Sequence, residues 1–170
     1  APGCARLRAG CGASRDTVLR AIAEHSRSHA RLEGLDMASA KEMRDMVTKN
    51  RETLKAAIEA AAGKWESSPG GDAWSPRQNA EHAIGAEAYY GKQAAAILGG
   101  NPPAAIETDF ATAADAAAAL AKAGAEADKR FSWAEDRDLS KASGGKTLEG
   151  VLAEAAEHIA EHTANIKAAS

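Results

Sequence analysis

The run TAADAAAALAKAGAEADK, residues 112–129, is compatible with one regular backbone. Alanine loses no side-chain freedom in a helix, whereas strands favour β-branched and aromatic residues. This run, and AAIEAAAGK at 56–64, therefore predict helices. The same feature limits the core. The chain holds 44 alanines among its 170 residues but only 22 Leu, Ile, Val and Phe together. Small side chains let helices approach closely but bury little area each. The expected product is a slim all-α bundle of modest stability, helped by a bound metal or by a second copy in a homodimer. So few large apolar residues would signal disorder in a highly charged chain. The net charge here is only −3, and a folded chain is the better reading.

Punctuation divides residues 37–170 into four helices. The first is expected from about Ser39 to Lys64, with Met43, Met46, Val47, Leu54 and Ile58 on a broken apolar stripe. ESSPGGDAW is a loop by its Gly, Pro and Ser content. In WSPRQNAEH, Ser75 is an N-cap, Pro76 takes the first helical position and Gln78 completes a capping box. This second helix runs to Leu98 and stops at GGNPP. A third is expected over about Thr108 to Phe131. An irregular link, SWAEDRDLSKASGGK, leads to a fourth that starts near Thr147 and reaches the C-terminus. The expected architecture is a four-helix, up-and-down bundle with two short connections and a longer one between helices three and four.

Residues 1–36 have a different composition. They hold six Arg and no Lys, whereas residues 37–170 hold five Arg and ten Lys. The net charge changes from +2 to −5 across Met37. Residues 1–36 therefore read as an upstream extension, helical or disordered, with a mis-set start as one origin. A helix over 15–33 would place Val18, Leu19 and Ile22 on one face.

Several function classes are excluded at this level. No run of about 18 apolar residues is present, so no membrane helix is expected, and no signal peptide is visible. A mildly acidic balance argues against nucleic acid as a partner. Cys4 and Cys11 make no disulfide framework, which points to a reducing cytoplasm. No phosphate-binding loop, nucleophile elbow or dinucleotide fingerprint occurs.

The histidines carry the chemistry. His158 and His162 are four apart, and on a helix such residues lie about 5–6 Å apart at Cβ, close enough to share one ion. Val151, Ala155, His158, His162 and Asn165 step by three or four, so the pair continues an apolar line toward the bundle interior. A pair of satisfied, half-buried histidines at the bundle edge is the plain alternative. His82, two turns into the second helix, shifts the balance because an antiparallel neighbour would bring it level with the end of the fourth. Three neutral imidazoles leave one tetrahedral position open, the pattern of a reactive metal site. His25 and His29 share the spacing, but Arg27 and Arg31 beside them would repel a cation; they read as a solvated face. HIAEH also matches an inverted zinc-protease signature. That motif needs a further acidic ligand well downstream, and only eight residues follow His162.

Other candidates are weighed the same way. Glu157 and Glu161 read as solvent-facing carboxylates or as partners that orient an imidazole. Trp65, Trp74 and Trp133 read as hydrophobic plugs and Glu87 as polar surface. Tyr89, seven residues after His82, is a candidate for reaching a bound substrate.

WSPRQNAEH at 74–82, followed far downstream by EHIAEHTANI at 157–166, resembles the DinB-like (DinB/YfiT) superfamily. The likeness covers about Met37 to Ser170. In that family a Trp-Ser stretch ending in His opens the second helix, and a pair of His four apart lies in the fourth. The three histidines bind a divalent metal, often zinc or nickel, in a four-helix bundle. Carried across, the ligands are His82, His158 and His162, the set reached from spacing. The resemblance also implies a small-molecule substrate and a low-molecular-weight thiol cofactor, bacillithiol or mycothiol, used by S-transferases or isomerases; other relatives are described as metal-dependent hydrolases. A non-catalytic metal-dependent binding or stress-response module is the competing class. Residues 1–36 and the alanine-rich third helix match no part of the family pattern.

Overall fold

The computed structural model describes residues 38–170. His25, His29 and the helix expected over 15–33 lie outside the described residues. Four helices account for almost all the regular structure: α1 (Ala40–Ala60), α2 (Pro76–Leu98), α3 (Ala113–Phe131) and α4 (Leu148–Ala169). A 3-10 turn, Ala61–Lys64, extends α1 to the expected end. Among these residues no helix is long and apolar enough to cross a membrane.

Each helix starts where a short polar side chain can take up an otherwise unpaired N–H. Ser39 and Glu42 exchange hydrogen bonds of 3.2 and 2.8 Å across the first turn of α1. Ser75 and Gln78 do the same for α2 at 3.3 and 2.9 Å, with Pro76 at the first position. Thr147 caps α4 through the Gly150 N–H at 3.1 Å. We expect Ser75→Ala to cost about 1 kcal/mol and to lower the thermal midpoint by roughly 3–4 °C. An unchanged melt by circular dichroism would show that the cap contributes nothing.

α3 begins five residues later than expected, because residues 108–111 are used otherwise. The Phe110 N–H donates to Glu81 Oε1 at 3.0 Å, and its carbonyl accepts from Trp65 Nε1 at 3.1 Å. Thr112, not Thr108, caps the helix through the Asp115 N–H.

The core has large side chains only at intervals. Val47, Leu54 and Ile58 of α1 meet Ile84 of α2, Leu120 and Phe131 of α3, and Leu148, Leu152, Ile159 and Ile166 of α4. Alanines fill most of the remainder. Met46 lies off this stripe, 53% exposed. Close helix approach shows at Gly91, where an added Cβ would sit 3.0 Å from Pro103 Cγ and 3.5 Å from Ala127 Cα.

The helices do not alternate up and down. Asn50 of α1 donates to the Ala156 carbonyl of α4, and the Ala40 N–H donates to Asp136 in the link whose Leu139 and Lys141 carbonyls accept from the first N–H groups of α4, so α1 and α4 run parallel. Arg44 and Arg51 of α1 reach Phe131 and Asp128 near the end of α3, which runs the other way. α2 is antiparallel to α4, with His82 beside His158 and Tyr89 beside Lys146. α2 and α3 are therefore parallel. Their connection, 99–112, has to travel back along the bundle, and this replaces the short link expected there. An extended chain of that length reaches about 45 Å, more than the ~35 Å of α2. Gly99 and Gly100, both at positive φ, end α2, and Pro102–Pro103 prevent its continuation.

The connection between α3 and α4 is still the longest, and it is more ordered than expected. It contains a 3-10 turn, Asp136–Asp138, and a two-strand hairpin, β1 (Ala142–Ser143) and β2 (Lys146–Thr147). Gly144 and Gly145, at φ 60° and 85°, supply the two left-handed residues that such a tight turn requires.

Candidate metal centre

The antiparallel contact of α2 with α4 brings together the three histidines singled out by spacing. Candidate ligand atoms of His82, His158 and His162 all lie within 4.8 Å of one another. His82 Nε2 and His158 Nε2 are 3.1 Å apart. Two nitrogens bound to one ion at 2.0–2.1 Å with tetrahedral angles would be separated by about 3.4 Å, so little movement is needed.

Asn79 determines how His162 is presented. Its side chain is buried, and Nδ2 donates to the Ser75 carbonyl at 3.0 Å and the Trp74 carbonyl at 3.3 Å. Both carbonyls accept only, so the amide oxygen must face the imidazole. That oxygen lies 2.9 Å from His162 Nδ1. His162 therefore carries its proton on Nδ1 and keeps an Nε2 lone pair for the site.

Aromatic rings enclose the group. Trp74 stacks on His162 at 6.1 Å and 13°, and meets His82 edge-on at 5.3 Å. The Tyr90 ring stands T-shaped to His158 at 5.8 Å. His158 Nδ1 is buried with no hydrogen-bond partner among the described residues.

Burial, followed by repulsion from His158 and His82, lowers the His162 pKa to about 4. His158 is lowered by burial and by His82, with Glu161 opposing. Both shifts favour neutral imidazole, the form that binds metal. The sign for stability follows. Between pH 6.5 and about 4 the unfolded chain binds more protons at these sites than the folded chain, so stability falls on acidification. We expect the thermal midpoint of the metal-free protein to decrease from pH 7 to pH 5. A midpoint that rose over that interval would contradict the burial of these rings.

The donor set fits a divalent cation: three imidazole nitrogens at ligand spacing, one tautomer held by Asn79, and an open cleft above. That cleft, about 660 Å³, is lined by the histidines together with Trp74, Asp72, Glu161 and Asn165. No family model, curated protein or solved structure matches this chain.

Several other expectations are revised. Trp74 is no plug; it is 45% exposed and forms a wall of the cleft. Trp133, also expected to be a plug, is exposed and covers Gly100. Trp65 is buried as expected. Tyr89 turns outward beneath Lys146, whereas Tyr90 turns in toward His158. The signal for Tyr90 was available, because it continues the interior stripe of Ala83, Glu87 and Ala94. Asn79, one turn before His82, had no such signal, because its partner His162 lies 83 residues away. Glu87 is not surface: it is 2% exposed and accepts two hydrogen bonds from Arg51, at 2.8 and 3.1 Å.

Proposed function

We propose that the chain is a metal-dependent enzyme of the DinB-like type, with zinc or nickel held by His82, His158 and His162. The reaction proposed is thiol S-transfer, or hydrolysis where water takes the thiol's place. One observation carries the reading: three imidazoles meet at the floor of an open cleft, where a structural zinc would be closed by a fourth side chain. An ion bound there would supply Lewis acidity, lowering the pKa of a thiol or water toward neutrality. Asn79 holds the His162 ring in its productive tautomer. Trp74 walls one side of the cleft and shields the His162 ring from water. In S-transfer the thiol sulfur bonds to an electrophilic carbon of a small substrate, the leaving group departs with its electron pair, and the thiol proton passes to solvent.

The test loads the full chain with zinc or nickel. It then measures conjugation of a model electrophile with bacillithiol, mycothiol and a simple thiol, beside an ester and amide panel. Metal-dependent turnover that is lost in His158→Ala is expected. If metal binds but no thiol is taken up and nothing is hydrolysed, the site belongs to a metal-dependent binding module.

A further inference from the structure

The buried face of α3 is alanine and one glycine apart from Leu120 and Phe131. Helices settle into one register when large side chains enter matching gaps, and side chains this alike interlock weakly. A shift of one turn along the axis replaces Ala113 by Ala117 and Ala123 by Ala127 with no change of shape. The 99–112 connection has the slack to follow such a shift of about 5.4 Å.

One place on α3 does distinguish the registers. Arg51 of α1, 7% exposed, lays its stem over Gly124, where an added Cβ would lie 2.5 Å from its Cδ and 2.9 Å from its Nε. Its guanidinium then bonds Asp128, one turn further along α3, at 2.9 and 3.0 Å, and Glu87 of α2 at 2.8 and 3.1 Å. Gly124 is the only glycine of α3. A gap and a carboxylate four residues beyond it are both required, and no neighbouring register supplies the two. A four-residue shift sets Leu120 and Gly124 in their places, or Asp128 and Ser132. A three-residue shift sets Ala121 and Ala125, or Ala127 and Phe131. In each case a Cβ fills the gap and no carboxylate stands a turn beyond. A buried guanidinium that has lost a partner is strongly unfavourable.

We propose that Arg51, Gly124, Asp128 and Glu87 form a register key, which selects one alignment of α3 against α1 and α2 that the alanine packing leaves open. The key adds little net stability, because the ion pair repays its desolvation poorly; it adds the energy gap to the shifted alignments. Glu87 ties it to α2, the helix that carries His82. The key is independent of any metal, since the three clustered histidines lie on α2 and α4.

The chain holds only two phenylalanines, and each reports a different part of the bundle. Phe131 is fully buried at the end of α3, whereas Phe110 is held in the 99–112 connection by Glu81 and Trp65. The full chain labelled with fluorophenylalanine should give two fluorine NMR lines, assigned through Phe110→Tyr. In Arg51→Met combined with Glu87→Leu, helicity by circular dichroism should be unchanged. The Phe131 line is expected to broaden or to split, with at least about one-tenth of its intensity in a second line, while the Phe110 line stays single. Gly124→Ala keeps every charge and fills only the gap. It should give the same pattern, and it carries the test if the double variant does not fold. A single sharp Phe131 line in a folded variant of either kind would overturn the key, because alanine packing would then fix the register alone. Equal broadening of both lines would also overturn it, because packing would then have loosened throughout rather than one helix having shifted.

Discussion

Replacing His162 with alanine is expected to take bound zinc from one ion per chain to none after dialysis. Two imidazoles would remain, and His162 is the most buried of the three, with its tautomer already held by Asn79. Asn79→Leu removes that hydrogen bond but leaves three ligands, so saturable binding should persist with affinity reduced about 10- to 100-fold. Elemental analysis with competitive zinc titration distinguishes the two variants, and far-UV circular dichroism should show both helical. Equal metal content in His162→Ala and the unaltered protein would remove His162 from the site.

The second large effect lies in the middle of the bundle, away from the cleft. Arg51 of α1 bridges Glu87 of α2, and Asp128 of α3 at 2.9–3.0 Å. Although burial works against its charge, Glu87 and Asp128 hold the Arg51 guanidinium charged. Burial pushes the Glu87 carboxyl up, and the Arg51 fork opposes that. Glu87→Leu would leave a buried guanidinium with only the half-exposed Asp128 as partner. The expected cost is about 3 kcal/mol, or roughly 10 °C in midpoint. Gly124→Ala should act through the same group, because an added Cβ would lie 2.5 Å from Arg51 Cδ and displace it. The double change Arg51→Met, Glu87→Leu removes both charges and should recover much of the loss, since a buried ion pair repays its desolvation poorly. Urea melts of these variants test the set. A Glu87→Leu protein as stable as the unaltered chain would show that Arg51 does not need this partner.

Much of the architecture is local and was therefore legible in the chain. Ser39, Ser75 and Thr147 cap helices through side-chain bonds spanning three residues, and GGNPP stops a helix whatever surrounds it. The His158–His162 pair likewise depends only on helical periodicity, and the apolar line through Val151 and Ala155 faces inward as its spacing predicts. Tertiary structure decided the rest. Helix direction was not readable, because the 99–112 segment has the composition of a loop whether it turns back at once or crosses the bundle. Phe110, Glu81 and Trp65 show that it crosses, through bonds between residues 29 and 45 positions apart. Glu87 was read as surface, and its pairing with Arg51 was not readable, for the same reason. Arg51 sits at helical spacing with Val47 and Leu54, and Glu87 with Ala83 and Tyr90, but a charged residue on an apolar stripe is tolerable only when its partner arrives from another helix. Asn79 and Trp74 became site residues only once α4 set His162 against both of them. Caps and periodicity act within a few residues of backbone, whereas the partner that makes a buried charge or an imidazole tautomer stable lies dozens of residues away and is chosen by packing.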